Sequence, residues 1–285
     1  FRFGHRYSLQ WVTLYRTVQQ QGEKRMSLPY AGVVMDMDGV LWRGGSVIEG
    51  AADWLNFLRK RQIPFVLATN NSSLAPSDYT EKLAALGLGE IPLEHIITSG
   101  IVAAAYLREH YPAGAPIHVL GGDGLRAVVR DVGYVLADES PLAVVVGIDF
   151  HVTYEKLKRA ARFIRDGAEF IGTNADPSIP LADGLAPGAG SLLALLETAT
   201  ERSPKVMGKP KPPMFLAALQ ALATPAAQTL MIGDRLDTDI FGAQDAGLVG
   251  ALVLTGVSTR EDALNGPQQP HLIISDLAEL MALWG

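Results

Sequence analysis

The chain is 285 residues long, enough for one large domain or two ordinary ones with a sizeable core. Its 48% apolar and 19% charged content is that of a globular protein, and a formal net charge of −6 with no basic stripe argues against a nucleic-acid partner. The lack of cysteine removes disulfides, thiolate metal sites and thiol nucleophiles and fits a cytoplasmic location, and no apolar run approaches the roughly 18 residues a membrane span needs.

Residues 1–25 carry Arg2, Arg6, Arg16, Lys24 and Arg25 against one acid, Glu23, and read as an N-terminal extension ahead of a natural start at Met26, in preference to a transit peptide. Val33-Val34-Met35 then predicts a buried strand that runs into Asp36-Met37-Asp38-Gly39. If the strand continued, both carboxylates would point the same way, and Gly39 is placed to break it and let the backbone approach a ligand. Carboxylates this close repel one another, which a divalent cation would relieve; the plain alternative is an acidic turn.

After a turn-rich excursion at Trp42-Arg43-Gly44-Gly45-Ser46, Ala51, Ala52, Leu55 and Leu58 recur at helical spacing until Pro64. Phe65 to Ala68 predicts a second buried strand ending in Thr69-Asn70-Asn71-Ser72, whose hydroxyls and amides suit either an oxyanion or a helix N-cap. The following helix, to about Leu86, has Asp78 and Glu81 spaced as a capping box. Strand and helix then alternate, as βαβ units with parallel pairing do. Strands are expected at 96–98, 117–120, 144–148 and 170–171, and helices after Gly100, at 124–131 and at 153–166.

Gly172-Thr173-Asn174-Ala175-Asp176-Pro177 reads as a polar loop, residues 184–191 as a Gly-rich loop or hinge, and 192–200 as a helix. Lys205 to Pro213 reads as a Lys/Pro loop, within which proline could fix where Lys209 points. A helix at 214–222 precedes the strand Thr229 to Ile232, which ends in Gly233-Asp234-Arg235-Leu236-Asp237-Thr238-Asp239-Ile240. Strands at 251–254 and 272–274 and a helix from Asp276 complete the chain. The six histidines show no metal spacing, and His151 is assigned to the surface or core.

Open parallel sheets bind ligands beyond the carboxyl ends of their strands. Four polar strand ends would gather there: Asp36 with Asp38, Thr69 to Ser72, the Lys209 loop, and Asp234 with Asp239. Oxygen ligands without His or Cys favour Mg²⁺ over zinc. Lysine, Mg²⁺ and neutral donors together suit a phosphoryl group, with one carboxylate left to attack as a nucleophile.

The ordered segments Asp-Met-Asp-Gly-Val (36–40), Thr-Asn-Asn-Ser (69–72), Gly-Thr-Asn-Ala-Asp-Pro (172–177), Gly-Lys-Pro (208–210), Gly-Asp-Arg-Leu-Asp-Thr-Asp-Ile (233–240) and Leu-Thr-Gly-Val-Ser (254–258) resemble the haloacid dehalogenase superfamily, in its NagD/p-nitrophenyl-phosphatase branch. The resemblance runs from about Met26 to the end. It implies an α/β fold: a Rossmann-like doubly wound parallel-sheet core of residues 26–102 and 205–285, with an inserted α/β cap over 103–204.

It further implies that Asp36 is the nucleophile and that Asp38 protonates the leaving alkoxide and then deprotonates water. Mg²⁺ would be held by the Asp36 carboxylate, the Asp38 backbone carbonyl and Asp234, while Asp239 orients Lys209 or a metal-bound water. Thr69 and Lys209 would hold the phosphoryl oxygens, with Asn70 and Asn71 close by. Asn174 and Asp176 are the cap candidates for substrate reading, an Asx-turn being the alternative.

The expected function is Mg²⁺-dependent hydrolysis of a small phosphorylated metabolite through an aspartyl-phosphate. A phosphomutase or phosphotransferase of the same fold, and a non-catalytic phospholigand-binding protein, are the alternatives; Asp38 speaks against a dehalogenase. The substrate does not follow from the sequence, and a homodimer stays open.

Overall fold

The structure, a computed structural model, describes residues 30–181 and 184–284. The extension over residues 1–25 and the start at Met26 lie outside the described residues. The chain divides into two compact units, the first taking it up to Phe65 and again from Leu222, the second running from Val66 to Ala221.

The first unit opens on β1 (Gly32–Met35), whose Val33, Val34 and Met35 are wholly buried, as in parallel strands covered on both faces. The strand stops at Met35, so Asp36 and Asp38 lie in a turn rather than on a continuing strand: Asp36 is 9% exposed, while Asp38 is open to solvent. Gly39, at φ +81°, turns the chain but does not break the strand, which has already ended at Met35. The excursion that follows is an antiparallel hairpin of β2 (Trp42–Arg43) and β3 (Ser46–Val47). Helix α1 (Ala51–Lys60) buries Ala51, Trp54, Leu55 and Leu58 along one face. It ends at Lys60, and Gln62, at φ +54°, redirects the chain before Pro64 is reached.

β4 (Phe65–Thr69) carries the chain into the second unit. Helix α2 (Pro76–Ala85) contains Asp78, whose Oδ2 accepts the Ala75 N–H at 2.8 Å. The cap therefore closes between Ala75 and Asp78, not between Asp78 and Glu81, because Pro76 opens the helix one turn earlier. β5 (Ile96–Thr98) pairs in parallel with β4, and Thr98 caps α3 (Ser99–His110) by accepting the Ile101 N–H at 3.2 Å, so Ser99 and Gly100 are already helical.

The alternation continues through β6 (Pro116–Leu120), α4 (Asp123–Asp131), β7 (Val135–Leu136), β8 (Ala143–Val146), α5 (Tyr154–Arg165) and β9 (Glu169–Gly172). Of the stretch 184–191 expected as a Gly-rich loop, Gly184–Pro187 is strand β11, paired with β10 (Ser178–Leu181), and residues 189–191 already open α6 (Ala189–Thr200). The expected Lys/Pro loop begins as β12 (Lys205–Val206), paired in parallel with β9, and α7 (Pro212–Leu222) returns the chain to the first unit. The sheet order β12-β9-β8-β6-β7 is parallel throughout, and Val144, Val146, Phe163, Ile164, Leu193 and Leu196 form its core against α5 and α6.

His118, on β6, is 7% exposed. Its Nδ1 donates to the Ala137 carbonyl at 3.0 Å and lies 3.3 Å from Asp138, and its ring meets Phe163 edge-on. Burial holds its pKa below the usual histidine value, outweighing the Ala137 carbonyl and the Asp138 charge, which act the other way. Below about pH 6.5 the unfolded chain therefore binds more protons at this site than the folded one, and stability falls as pH falls. His118→Gln, which keeps a donor for Ala137, is expected to lose less melting temperature than wild type between about pH 7.5 and 5.5, by roughly 2 °C or more. Equal pH slopes for the two proteins in thermal melts would contradict this.

Back in the first unit come β13 (Thr229–Gly233), a single π-helical turn at Leu236–Ile240, α8 (Phe241–Asp245), β14 (Val249–Val253), α9 (Arg260–Asn265), β15 (Leu272–Ile274) and α10 (Leu277–Trp284). Its strands are parallel in the order β15-β14-β13-β1. At the base of this unit Trp54 stacks on Phe57, and Trp284 meets Trp54 and Tyr30 at 5.5 and 5.6 Å between ring centres. Burial pushes the Tyr30 phenol up to about 12. The α/β class with parallel sheets is as expected from the sequence.

Candidate active site

β1 and β13 are neighbours with Met35 opposite Ile232, so the residues that follow each strand emerge at one edge, and the Asp36 N–H donates to the Ile232 carbonyl at 2.9 Å. Beyond that edge one carboxylate oxygen from each of Asp36, Asp234 and Asp239 lies within 4.8 Å of the other two. Asp234 and Asp239 are 2% and 0% exposed.

Local structure sets each of them. The π-helical turn brings Asp239 back toward β13, where its Oδ2 accepts the Arg235 N–H at 3.1 Å. Gly233 makes room for it, since a Cβ there would lie 2.3 Å from the Asp239 Cβ. Asp234 Oδ2 accepts the Val257 N–H at 2.8 Å, its carbonyl accepts the Ser258 N–H at 2.9 Å, and the Ser258 hydroxyl accepts the Leu236 N–H at 3.1 Å. Two glycines press against the same carboxylate: a Cβ on Gly39 or on Gly256 would lie 2.3 or 1.9 Å from Asp234 Oδ2.

The segment Leu254 to Ser258 thus cradles Asp234, a role the sequence did not assign; its visible signal was a glycine between hydroxyl residues after a strand. Asp38 is arranged differently. Its exposed carboxylate accepts the indole N–H of fully buried Trp42 at 2.7 Å, and Trp42 too was missed. Arg43 bonds the Thr255 carbonyl and lies 3.1 Å from that of Gly256, while the Thr255 hydroxyl donates to the Gly39 carbonyl at 2.7 Å.

Three shielded carboxylates so close together form an all-oxygen donor set, with a cradle that admits no side chain at Gly39 or Gly256. A small, hard divalent cation such as Mg²⁺ fits such a set, and the soft or nitrogen-seeking metals do not.

The second unit gathers the other candidates. Thr69, 3% exposed at the end of β4, accepts the Asn71 N–H at 3.1 Å, and Asn71 Oδ1 accepts the Ser73 N–H at 2.9 Å. Lys209 is 2% exposed and its ammonium donates to the Ala68 carbonyl at 3.0 Å. The Asn70 carboxamide meets the Lys209 peptide on both sides and also reaches Asp176, which accepts from Asn174 as well. Thr69, Asn70, Asn71, Asn174, Asp176 and Lys209 are therefore one connected neighbourhood. His151 stands apart on the surface, as expected.

The sequence model of the haloacid dehalogenase-like hydrolases matches residues 33–135, and a HAD-hydrolase-like model matches residues 206–280. An acid sugar phosphatase of Staphylococcus aureus is 39% identical over 254 residues, spanning 89% of this chain and 97% of that protein. The chain belongs to the haloacid dehalogenase-like hydrolases.

Among solved structures this hydrolase is similar to a 4-nitrophenylphosphatase from Thermotoga maritima, at 34% identity and a TM-score of 0.86 over 90% of this chain and 98% of that one. It is also similar to a glycerol phosphate phosphatase from Mycobacterium tuberculosis in complex with magnesium, at 34% identity and a TM-score of 0.83 over 91% of this chain and 78% of that one. These relatives are named phosphatases, and the chain is an enzyme of their NagD-like branch of the family.

Proposed function

We propose that this hydrolase is a Mg²⁺-dependent phosphatase of small phosphomonoesters that works through an aspartyl-phosphate on Asp36. The observation that carries the reading is the meeting of Asp36, Asp234 and Asp239 within 4.8 Å at one strand edge. The phosphatase names of the relatives support the reaction class, and the magnesium complex of one of them supports the ion.

Asp36, Asp234, Asp239 and the Asp38 backbone carbonyl would hold the ion. When bound it supplies positive charge for the phosphoryl oxygens. The other steps belong to the chain itself. The Asp36 carboxylate attacks phosphorus; its new P–O bond forms as the ester P–O bond breaks, and Asp38 gives its proton to the departing alkoxide. Asp38, now a carboxylate, takes a proton from water as that water attacks phosphorus, releasing Asp36 and inorganic phosphate. The Trp42 indole keeps Asp38 Oδ1 in one rotamer through both transfers. Thr69 and Lys209 hold phosphoryl oxygens in this scheme. The division into a core of 26–102 and 205–285 and a cap of 103–204 is part of the same proposal, as is a cytoplasmic location; among the described residues no helix is long and apolar enough to cross a membrane.

The test is p-nitrophenyl phosphate hydrolysis by protein stripped with EDTA. Activity is expected to vanish and to return on adding Mg²⁺, with one inorganic phosphate released per nitrophenol. Full turnover by the stripped protein would overturn the metal assignment, and phosphate passed to a second hydroxyl instead of water would make the enzyme a phosphotransferase.

A further inference from the structure

The Asn70 carboxamide is fully engaged within the second unit. Its Oδ1 accepts the Lys209 N–H at 2.7 Å, and its Nδ2 gives one hydrogen to the Lys209 carbonyl at 2.9 Å and one to Asp176 Oδ2 at 2.8 Å. The first two bonds copy what a neighbouring strand would offer the Lys209 peptide, with a side chain in the strand's place. Both amide hydrogens are thereby committed to the protein, and none is left for a substrate.

Asp176 Oδ2 accepts a second hydrogen, from Asn174 Nδ2 at 2.8 Å, and Asn174 Oδ1 accepts the Thr173 hydroxyl at 3.0 Å. Gly208 closes the arrangement. Its N–H donates to the Thr173 carbonyl at 2.7 Å, and a Cβ there would lie 2.5 Å from Asn70 Oδ1 and 2.7 Å from the Thr173 carbonyl oxygen. Only glycine lets residues 208–209 lie this close to both the end of β4 and the loop 172–177. A carboxylate that accepts from Asn70 and Asn174 at once fixes those two segments to each other, and Asn70 passes that constraint to the Lys209 peptide.

We propose that Asp176, Asn174 and Asn70 are positioning residues that latch the loop 172–177 to the Lys209 peptide, instead of groups that read the organic part of the substrate. The inference rests on the reading of Lys209 as the cation that holds the phosphoryl group. It makes a distinct claim: disturbing the latch harms every phosphomonoester alike, because what moves is the shared phosphoryl-holding ammonium.

The test uses the full chain, saturated with Mg²⁺, on p-nitrophenyl phosphate and glycerol 3-phosphate, with orthovanadate as an inhibitor that has no leaving group. Asp176→Ala is expected to lower kcat/KM about tenfold on both esters by the same factor, and to weaken orthovanadate inhibition to a similar degree. Asp176→Asn keeps an acceptor oxygen and is expected to stay within about threefold of wild type. Asn70→Ala should cost at least as much as Asp176→Ala, and combining the two should add little, as for residues acting through one contact.

Losses that differ about tenfold between the two esters with orthovanadate unaffected would overturn the proposal, since the loop would then be reading the leaving group. So would an Asp176→Asn variant as impaired as Asp176→Ala, because the charge and not the acceptor would matter. Should Asp176→Ala fail to fold, Asn70→Ala carries the same comparison of esters and orthovanadate. Asp36→Asn serves as the control: full activity there sinks the aspartyl-phosphate reading on Asp36, whereas an inactive Asp36→Asn with ester-dependent latch variants sinks the latch alone.

Discussion

Asp36→Asn is expected to lower kcat on p-nitrophenyl phosphate by at least about a thousandfold while the protein stays folded. The carboxamide is nearly isosteric and keeps the backbone bond from the Asp36 N–H to the Ile232 carbonyl that seats the residue beside β13. What it loses is a nucleophilic oxygen and one of the three charges gathered within 4.8 Å. The second loss has its own readout. Mg²⁺ that binds only the folded chain raises the melting temperature, and the variant should show a smaller rise at the same Mg²⁺ concentration. A variant that hydrolyses substrate at the wild-type rate would remove Asp36 from the chemistry. One that is inactive yet gains as much from Mg²⁺ as wild type would leave Asp36 as nucleophile but not as ligand.

Gly256→Ala should be nearly as damaging, although the residue carries no chemistry. The added Cβ would stand 1.9 Å from Asp234 Oδ2 and 2.2 Å from the Asp234 Cβ. Asp234 cannot simply swing aside. Its backbone continues directly from β13, its carbonyl accepts from Ser258, and its carboxylate accepts from Val257. Either the carboxylate leaves the metal cluster or the segment Leu254 to Ser258 is pushed off. Overpacking of this kind costs about 1–3 kcal/mol, a fall of several degrees in melting temperature. The Mg²⁺ concentration for half activity should rise at least about tenfold, the scale of losing one well-placed ligand contact. Gly45→Ala, where a Cβ meets nothing within 4 Å, is the matched control and should change neither quantity. A wild-type Mg²⁺ requirement in Gly256→Ala would show that the cradle does not hold Asp234 in its ligating position.

The parts of the fold that could be read in the sequence are those whose signal is local. Val33 to Met35 declares a buried strand because three apolar residues in a row leave no solvent face, and α1 declares itself through the spacing of its buried residues. The hairpin β10–β11 was hidden because its pairing joins Ser178 to Pro187, nine residues on, while Pro180, Pro187 and the scattered Gly184, Gly188 and Gly190 speak locally for a loop. β12 was hidden for a related reason: Lys205 and Val206 become a strand only by pairing with Ile171 and Gly172.

The site divides the same way. Carboxylates at the ends of two strands are visible as residues, and the register of Met35 with Ile232 is what makes them neighbours. What holds them is mostly invisible in the text of the chain. Trp42 looks like one more apolar residue until its indole is seen on Asp38, and Gly256 looks like a turn glycine until Asp234 is found against it. Asn70 beside Thr69 suggests an anion-binding amide, yet its partners lie more than a hundred residues further on, at Asp176 and Lys209. Side-chain amides are versatile enough that sequence alone does not choose among such roles.

The placement of the indoles has a practical consequence for anyone who follows this protein as it unfolds. Of the chain's four tryptophans, Trp11 lies outside the described residues, Trp42, Trp54 and Trp284 belong to the first unit, and none occurs between Val66 and Ala221. In a Trp11→Phe variant, intrinsic fluorescence excited at the indole band is therefore a one-sided gauge: it registers the loss of the Trp54–Trp284 contact and is silent about the sheet built around β8. Circular dichroism registers both. Urea curves from the two probes that superimpose would mean the halves come apart as one cooperative body, and curves that separate would rank the halves by stability without any label being introduced.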